Sequence, residues 1–581
     1  MKRSDENTTT GRSAAAGLLM WALPVLLAVP NIALCVTERL YSFPERAANL
    51  LLPLGVYCML AAMWKRIGIT TLLTLPLMIL CAFQIVLLYL YGESIIAVDM
   101  FLNVVTTNMS EATELLANLV PAIVAVCLLY LPPLVLGIVL ICRGKTTTAG
   151  QRRPALLTGA ILTAVGLVAL GASYASAKGY SPARRLFPVN ICFNIGTAVE
   201  RTQASNAYFR TSAPFRFNSV LTEPADSAVY VLVIGETSRA GNWELCGYER
   251  HTNPRLSRRS GITFFPHALS ESNTTHKSVP LMMSHLSCRS FGDSIYCVKG
   301  VVDAFKEAGF RTAWISNQER NGALIDFFGE QADSVDFITD DHRHHYDIET
   351  VGRLAETLRA NPGPIFVAVH TYGSHFNYRD RIPEGFGMFF PDDATEAEKS
   401  NRDQLINAYD NSILYTDMVL DSIIGTIAAT GRPAALVYAA DHGEDIFDDD
   451  RGRFLHASPT PTFYQIHVPV VVWTSENYGA RRPDVAEALA RNAGMRVSSS
   501  RSAFHTLLHL AGITTPCFDP TAALSSTAYR SLPTEYLNDY NEAVDLVQAG
   551  LRPEDFQALE GAGMYQDLDN LAWGRRTFQP E

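Results

Sequence analysis

The first 175 residues of this chain are almost continuously apolar, and this stretch limits the possible folds more than any other feature. Five apolar spans can be drawn in it, each close to the roughly 20 residues with which a helix crosses a bilayer. The spans cover residues 16–36, 48–64, 68–91, 119–142 and 155–175. Because the rest of the 581 residues has a globular composition, the sequence predicts a membrane protein with a large domain outside the bilayer.

Basic residues around the spans predict how the chain is oriented. Lys65 and Arg66 separate spans two and three, and a second basic group separates spans four and five, at Arg143, Lys145, Arg152 and Arg153. Basic loops favour the cytoplasmic side, so five spans deliver everything after about residue 176 to the periplasm or an equivalent space. The first span has basic residues before it but no convincing cleavage site, and we expect it to remain as an anchor.

Charge and cysteine content narrow the class of protein further. The formal net charge is -11 and no basic stripe is visible, which argues against binding to nucleic acid. Five of the ten cysteines lie in or at the ends of the spans. Cys288 and Cys297 are close in sequence in a domain expected to be in an oxidising compartment, which predicts a disulfide between them.

Short apolar runs alternate with helical patterns after residue 228. The runs have the character of buried strands and cover residues 228–235, 311–316, 365–370, 434–439 and 468–473. Helical patterns lie near 299–309, 347–360, 399–428 and 500–511. We expect an α/β domain with a mostly parallel sheet at 228–581, a transmembrane domain at 1–175 with an amphipathic outer loop at 92–118, and a bridging helix and linker at 176–227.

Candidate metal ligands follow three of the predicted strands. Glu236 follows the first, Asp441 and His442 follow the fourth, and His375 comes shortly after the third. Ligands gather beyond the carboxyl ends of strands in such folds, and carboxylate with imidazole suits Zn²⁺. We therefore predict a zinc site made by Glu236, Asp441 and His442.

Residues 272–280 supply a hydroxyl for this metal. They lie between an apolar strand-like run and a segment of helical spacing, where helix N–H groups favour anions. A threonine is a poor nucleophile unless a base or a metal lowers its pKa. We expect Thr275 to fill the open position of the metal and to act as a nucleophile.

The sequence leaves two possible roles for each of two further groups of residues. His375 and His456 are predicted either to hold the oxygens of a phosphoryl group or to bind a second metal. Asn103, Thr107 and Glu111 are spaced four residues apart and share one face of a helix at the outer membrane surface. That face is either a solvated surface or a contact site.

Several motifs resemble those of the lipid-linked phosphoethanolamine transferases of Gram-negative inner membranes, within the alkaline phosphatase and sulfatase superfamily. Residues 233–240 look like the strand and metal-binding Glu of that family. Residues 247–256 resemble its G-Y-x-R-x-T-N-P-x-L stretch, and residues 407–417 its N-A-Y-D-N-x-x-x-x-x-D helix. The resemblance extends over nearly the whole chain.

The resemblance implies a function and assigns roles. Thr275 would be the phosphoryl-accepting nucleophile of an inner-membrane enzyme, with Glu236, Asp441 and His442 as its zinc ligands. His375 and His456 would lie near the phosphate or a second zinc, and the lipid donor would meet Asn103, Thr107 and Glu111. Phosphoethanolamine would pass from phosphatidylethanolamine to lipid A or the lipopolysaccharide core, which would reduce the anionic charge that cationic peptides recognise.

The chain departs from the family pattern around the nucleophile. Glu271 and Leu281 stand where many members have a cysteine pair, and His276 and Lys277 replace small or neutral residues. Ala457 follows His456 where the family usually has glycine. These differences affect the prediction of the acceptor more than the prediction of the chemistry.

Three alternatives remain open from the sequence. A glycerol-phosphate transferase of the same superfamily is disfavoured by the motifs at 233–240 and 247–256. A sulfatase-like hydrolase is disfavoured because Met282 stands where the sulfatase modification motif requires arginine. The third alternative is a metal-bearing membrane sensor without turnover.

Overall fold

A computed structural model gives the fold. It describes residues 3–38, 41–92, 94–106, 119–176, 180–394, 396–531 and 534–564. The chain divides into two compact units, and the longest stretch of the second begins at Arg201.

The first unit is entirely helical where it is described. Its helices are α1 (Arg3–Leu27), α2 (Val29–Thr37), α3 (Phe43–Met63), α4 (Ile67–Leu73), α5 (Leu75–Tyr91), α6 (Val98–Thr106), α7 (Val120–Cys142), α8 (Ala149–Ser176), α9 (Pro182–Arg185) and α10 (Val189–Asn206). The last residues of α6 and of α10 belong to the second unit. Four helical segments are long and apolar enough to cross a membrane, or five if α4 and α5 count as one span. The predicted set of spans is thus confirmed as four to five.

The predicted span at 68–91 is broken between α4 and α5. The two helices are bent by 54° at Thr74. Pro76 lies in the first turn of α5 and has no N–H to offer, so the helix hydrogen-bond ladder is interrupted there.

A seven-stranded sheet forms the centre of the second unit. The described helices are α11 (Tyr208–Thr211), α12 (Thr275–Met283), α13 (Val301–Glu307), α14 (Leu324–Gly329), α15 (Glu349–Ala360), α16 (Arg402–Ala428), α17 (Phe463–Ile466), α18 (Glu476–Arg481), α19 (Pro483–Asn492), α20 (Ser499–Ala511) and α21 (Pro553–Gly561). The strands are β1 (Val220–Leu221), β2 (Val229–Gly235), β3 (Ile262–Phe265), β4 (Ala268–Leu269), β5 (Arg311–Ser316), β6 (Ser334–Phe337), β7 (Ile365–His370), β8 (Ala434–Ala440), β9 (Asp445–Ile446), β10 (Phe454–Leu455), β11 (Val470–Thr474), β12 (Val497–Ser498), β13 (Ile513–Thr514), β14 (Tyr536–Leu537) and β15 (Ala543–Val544). The sheet has the order β3-β11-β8-β2-β7-β5-β6.

The middle of this sheet is parallel, as predicted. Strands β8, β2, β7, β5 and β6 pair in parallel, whereas β11 pairs antiparallel with both β8 and β3. Strands β2, β7 and β8 are buried along their whole length, which explains their uninterrupted apolar sequences. The last predicted strand begins two residues later than expected because Pro469 cannot donate to a ladder.

The register of β2 against β8 positions the candidate ligands. Gly235 is the Cα partner of Ala440, so the next residues, Glu236 and Asp441, leave the sheet side by side. Gly443 then approaches its neighbours closely, since a Cβ there would lie 2.2 Å from the Tyr464 carbonyl oxygen. A larger residue would push the segment after Asp441 away from the sheet.

The predicted disulfide between Cys288 and Cys297 is wrong. Cys288 is buried and Cys297 is exposed, and all ten cysteines, each in a described part of the chain, are free thiols. Closeness in sequence does not bring two side chains into disulfide geometry.

Helix α16 holds the segment at 247–256 through the charged and polar residues of its motif. Asp410 accepts hydrogen bonds from Tyr248 at 2.9 Å and from Arg250 at 2.8 Å. Asp417 accepts the backbone N–H groups of Arg255 and Leu256, each at 3.0 Å. The two motifs that carry much of the resemblance therefore bind each other.

We predict that Asp417→Ala lowers the free energy of unfolding by about 3 kcal/mol, because it leaves two backbone N–H groups without an acceptor in a buried site. Asp403→Ala on the exposed face of α16 is the matched control and should cost less than about 1 kcal/mol. Urea titration of both variants measures the difference. Equal effects would mean that the Asp417 bonds contribute nothing.

Candidate active site

Four side chains from three parts of the sequence meet at the carboxyl edge of the sheet. Glu236 follows β2, Asp441 and His442 follow β8, and Thr275 is the first residue of α12. Ligand atoms of Glu236, Asp441 and His442 all lie within 4.8 Å of one another, and all three residues are buried. The structure thus brings together the predicted metal ligands and the predicted nucleophile.

The spacing of these atoms fits a tetrahedral metal. His442 Nε2 lies 3.2 Å from Asp441 Oδ2 and 3.5 Å from Glu236 Oε1. Thr275 Oγ1 lies 3.1 Å from His442 Nε2 and 3.5 Å from Glu236 Oε1. A tetrahedral zinc ion with bonds of about 2.1 Å separates its ligands by about 3.4 Å. These four separations among the donor atoms are therefore close to those that such an ion requires.

Hydrogen bonds orient the ligands. The Nδ1–H group of His442 donates to the carbonyl of Gly443 at 2.9 Å, which leaves Nε2 with a lone pair toward the cluster. Asp441 Oδ1 accepts from the backbone N–H groups of Thr237 and His442. Asp441 Oδ2 is buried, and its near neighbour is His442 Nε2 at 3.2 Å, which donates no proton to it while His442 is neutral. A buried carboxylate oxygen of this kind is costly unless a cation meets it.

The charges of the cluster favour a cation at this point. Burial opposes protonation of His442, but the carboxylates of Asp441 and Glu236 outweigh it, so its pKa is raised. The site therefore attracts positive charge, and a divalent metal satisfies the same demand. The donor set fits zinc.

Glu236 is held by a residue that sequence reasoning missed. Gln318 donates from Nε2 to Glu236 Oε2 at 3.1 Å and to the carbonyl of Thr371 at 2.8 Å. Thr237 donates to Glu236 Oε1 at 2.7 Å. Gln318 lies two residues beyond the end of β5, so the strand-end rule that selected Glu236 would have found it.

His375 and His456 lie beside the cluster. The His456 ring centroid is 4.1 Å from that of His442 and 5.7 Å from that of His375. His375 donates from Nδ1 to the carbonyl of Phe376 at 2.7 Å, and His456 Nδ1 is 3.0 Å from Glu444 Oε1. Burial lowers the pKa of both histidines to about 3, so both imidazoles are neutral at neutral pH.

Asn273 connects residues 272–280, which include the predicted nucleophile Thr275, to the turn that carries His456. Its amide donates to Ser458 O at 2.8 Å and to Gln465 Oε1 at 2.6 Å, and its side-chain oxygen accepts from the Tyr536 hydroxyl at 2.6 Å. The backbone carbonyl of Asn273 accepts from Ala457 N–H at 3.2 Å. The segment therefore has a fixed position without the cysteine pair that relatives place around it.

Two of the residues that depart from the family pattern make buried structural contacts in this chain. Glu271 is buried and accepts from the backbone N–H groups of Ser500 and Arg501, at the start of α20. Lys277 is buried and donates from Nζ to the carbonyl of Asn538 at 2.7 Å. Helix α12 begins at Thr275, six residues earlier than the helical spacing suggested, and it contains Pro280.

The predicted lipid-contact residues cannot be placed. Thr107 and Glu111 lie outside the described residues. Asn103 lies on α6, but its side chain is not among those described. The assignment of this group stays a prediction.

The turn at His456 stores backbone strain. Leu455 has a φ of 68° and Ala457 a φ of 60°, in the left-handed region that favours glycine. The glycine that the family usually has after this histidine fits such a turn.

We predict that Ala457→Gly raises the free energy of unfolding by up to about 1 kcal/mol, because it removes the left-handed penalty of Ala. Ala486→Gly, at an exposed position of α19, should lower it by about 1 kcal/mol. Thermal unfolding of both variants tests this opposite pair of signs. A loss of stability in both would show that position 457 is not strained.

The buried carboxyl of Glu271 predicts a pH effect on stability. Burial raises its pKa from 4.5 to about 7. The folded state thus binds more protons than the unfolded state between these values, and stability falls as pH rises through this range. We expect Glu271→Gln to weaken this fall, as measured by urea unfolding at pH 4.5, 6 and 7.5. A pH profile identical to that of the unaltered protein would contradict the assignment.

Comparisons with known proteins give similarities in sequence and in fold. The sequence profile of the family described as Sulfatase matches residues 228–513. The phosphoethanolamine transferase EptA of Escherichia coli (strain K12) is 31% identical over 309 residues, which are 52% of this chain and 56% of the relative. The matched part of the chain thus spans about half the length of this curated relative.

Two solved structures are similar. The C-terminal periplasmic domain of EptC from Escherichia coli, in complex with Zn, is 25% identical with a TM-score of 0.52, over 58% of this chain and 97% of that one. The integral membrane protein lipooligosaccharide phosphoethanolamine transferase A (EptA) from Neisseria meningitidis has a TM-score of 0.67 over 88% of this chain and 98% of that one, at 22% identity. The latter similarity shows the fold of both units.

The strand-end site and these similarities lead to one conclusion about the family. Residues 228–513 are a sulfatase-family domain with the alkaline phosphatase/sulfatase fold, and the resemblance of this membrane-associated chain to the phosphoethanolamine transferases is confirmed.

Proposed function

We propose that this protein is a zinc-dependent transferase that moves phosphoethanolamine from phosphatidylethanolamine to lipid A or the lipopolysaccharide core. The observation that carries the proposal is the position of Thr275 Oγ1, 3.1 Å from the metal-facing nitrogen of His442 at the start of a helix. The transferase names of the similar proteins support the phosphoethanolamine group. A Zn complex of a similar domain supports the metal.

Each residue of the site has a separate role in the proposed reaction. Glu236, Asp441 and His442 would hold the metal, which when bound lowers the pKa of a hydroxyl and offsets charge on phosphoryl oxygens. The N-terminus of α12 adds a favourable field for the phosphoryl group. His375 and His456 are neutral at neutral pH. Their proposed role is to bind either a second metal or the oxygens of the phosphoryl group.

The transfer proceeds in two steps. Thr275 Oγ1 attacks the phosphorus of the donor, the bond from phosphorus to the diacylglycerol oxygen breaks, and that oxygen takes up the proton that Thr275 loses. An acceptor oxygen then attacks the same phosphorus, the bond to Oγ1 breaks, and Thr275 regains a proton from the acceptor. A covalent phosphoethanolamine ester on Thr275 therefore links the two steps.

The two-unit architecture supports a membrane location for this reaction. Four or five helical spans anchor the first unit. The basic loops favour a periplasmic position for the sulfatase-family domain, and an inner-membrane location is part of the proposal. Donor and acceptor are then both lipids of the membrane that holds the enzyme. The added amine would reduce the anionic charge that cationic peptides recognise.

We predict that incubation with phosphatidylethanolamine and zinc, without acceptor, adds one phosphoethanolamine mass to the protein. Thr275→Ala should abolish the adduct because it removes the attacking oxygen. Thr274→Val, one residue away, should retain it, since the Thr274 hydroxyl contacts Ser272 and not the metal cluster. Intact-protein mass spectrometry gives the result.

Other outcomes would redirect the proposal. An adduct from phosphatidylglycerol instead would mean a glycerol-phosphate transferase. Turnover without an adduct would mean direct hydrolysis, and bound zinc without either would mean a sensor.

We predict that Gln318→Ala weakens zinc binding about 10- to 100-fold, because Gln318 orients the Glu236 carboxylate. Gln548→Ala, at an exposed position, is the control and should bind zinc normally. Competition with a fluorescent zinc chelator measures both. Unchanged affinity in Gln318→Ala would show that this bond does not support the metal.

A further inference from the structure

The first turns of helix α10 have two polar side chains turned inward. Asn190 and Asn194 are fully buried, and the side-chain amide of each donates to the carbonyl of Ile96 at 2.9 Å. These two residues are spaced four apart, so they define the inner face of the helix. The two hydrogen bonds fix its rotation about its own axis.

The opposite face of α10 is apolar for its first three turns. Val189 is 46% exposed, Phe193 44% and Val199 50%, and Cys192 and Ile195 are exposed beside them. A helix at a water-exposed surface shows the reverse arrangement, with apolar residues inward.

The exposed face changes character within one turn. Glu200, Gln203 and Asn206 are exposed and polar, directly after Val199. The apolar part therefore ends at a defined residue. This change of polarity along one face matches a helix that leaves an apolar medium for water.

The occupant of the apolar face follows from its surroundings in the first unit. Exposed apolar side chains also cover the outer face of α8, including Leu167 at 54% and Val168 at 74% exposure, as lipid contact in a membrane span requires. A contiguous apolar patch marks a contact with lipid or protein. The chain reaches α10 about a dozen residues after the end of α8, so the same bilayer is available to both.

We propose that the apolar face of α10 lies in the interfacial zone of the bilayer and that its ligand is phospholipid. Val189, Phe193 and Val199 contact acyl chains and the lower headgroup region, whereas Gln203 and Asn206 lie in water. The buried asparagines keep this face toward lipid, because rotation of the helix would turn the asparagine amides toward lipid and break both bonds to Ile96. The inference stands independently of the proposed reaction.

The test uses photocrosslinking in the full-length protein in phospholipid nanodiscs. p-Benzoylphenylalanine is placed singly at Phe193, Val199, Gln203 and Asn206, all exposed, with Val168 as the lipid-facing reference. We expect phospholipid adducts at 168, 193 and 199, and at least a fivefold lower yield at 203 and 206, by intact mass after irradiation.

Three results would overturn the proposal. The first is an adduct at 168 with none at 193 or 199, which places the face in water. The second is equal yield at 199 and 206, which removes the boundary. The third is protein-to-protein crosslinks in place of lipid adducts at 193 and 199, which means that protein covers this face.

Discussion

Repulsion between two buried carboxylates is the constraint on which the rest of this site depends. The register of β2 and β8 sets Glu236 beside Asp441, and burial denies both of them water. Such an arrangement is costly without positive charge, and the buried imidazole of His442 provides that charge only if it is protonated. A divalent cation would resolve the conflict while leaving His442 neutral, so the proposed metal would contribute to folding as well as to the chemistry.

Hydrogen bonds around Asn273 explain how the predicted nucleophile, Thr275, is held in place. Sheet and helix would not fix Thr275 alone, because the segment before α12 is irregular. The Asn273 side chain binds Ser458, two residues after His456, and Tyr536, so it joins the segment before the predicted nucleophile to the His456 turn and to the hairpin of β14 and β15. In this chain hydrogen bonds take the place that a cysteine pair has in many relatives.

How well the sequence predicts each feature depends on how far apart the interacting residues are along the chain. Buried parallel strands can be recognised in the sequence as apolar runs. Glu236, Asp441 and His442 were then predicted because ligands lie beyond the carboxyl ends of such strands. The bonds of Asn273 join residues about 185 to 263 positions apart, which no local pattern encodes. The disulfide prediction failed because sequence spacing carries no information on side-chain direction, and the positive φ of Ala457 is visible only in the folded chain.

Anomalous diffraction at the zinc edge, on crystals of the full chain grown with zinc, tests the central claim most directly. The account predicts a zinc peak within about 2.0–2.2 Å of Glu236, Asp441 and His442, with Thr275 Oγ1 at the fourth position of the ion. A strong peak elsewhere, with the two carboxylates satisfied by protons or by a basic side chain, would contradict it.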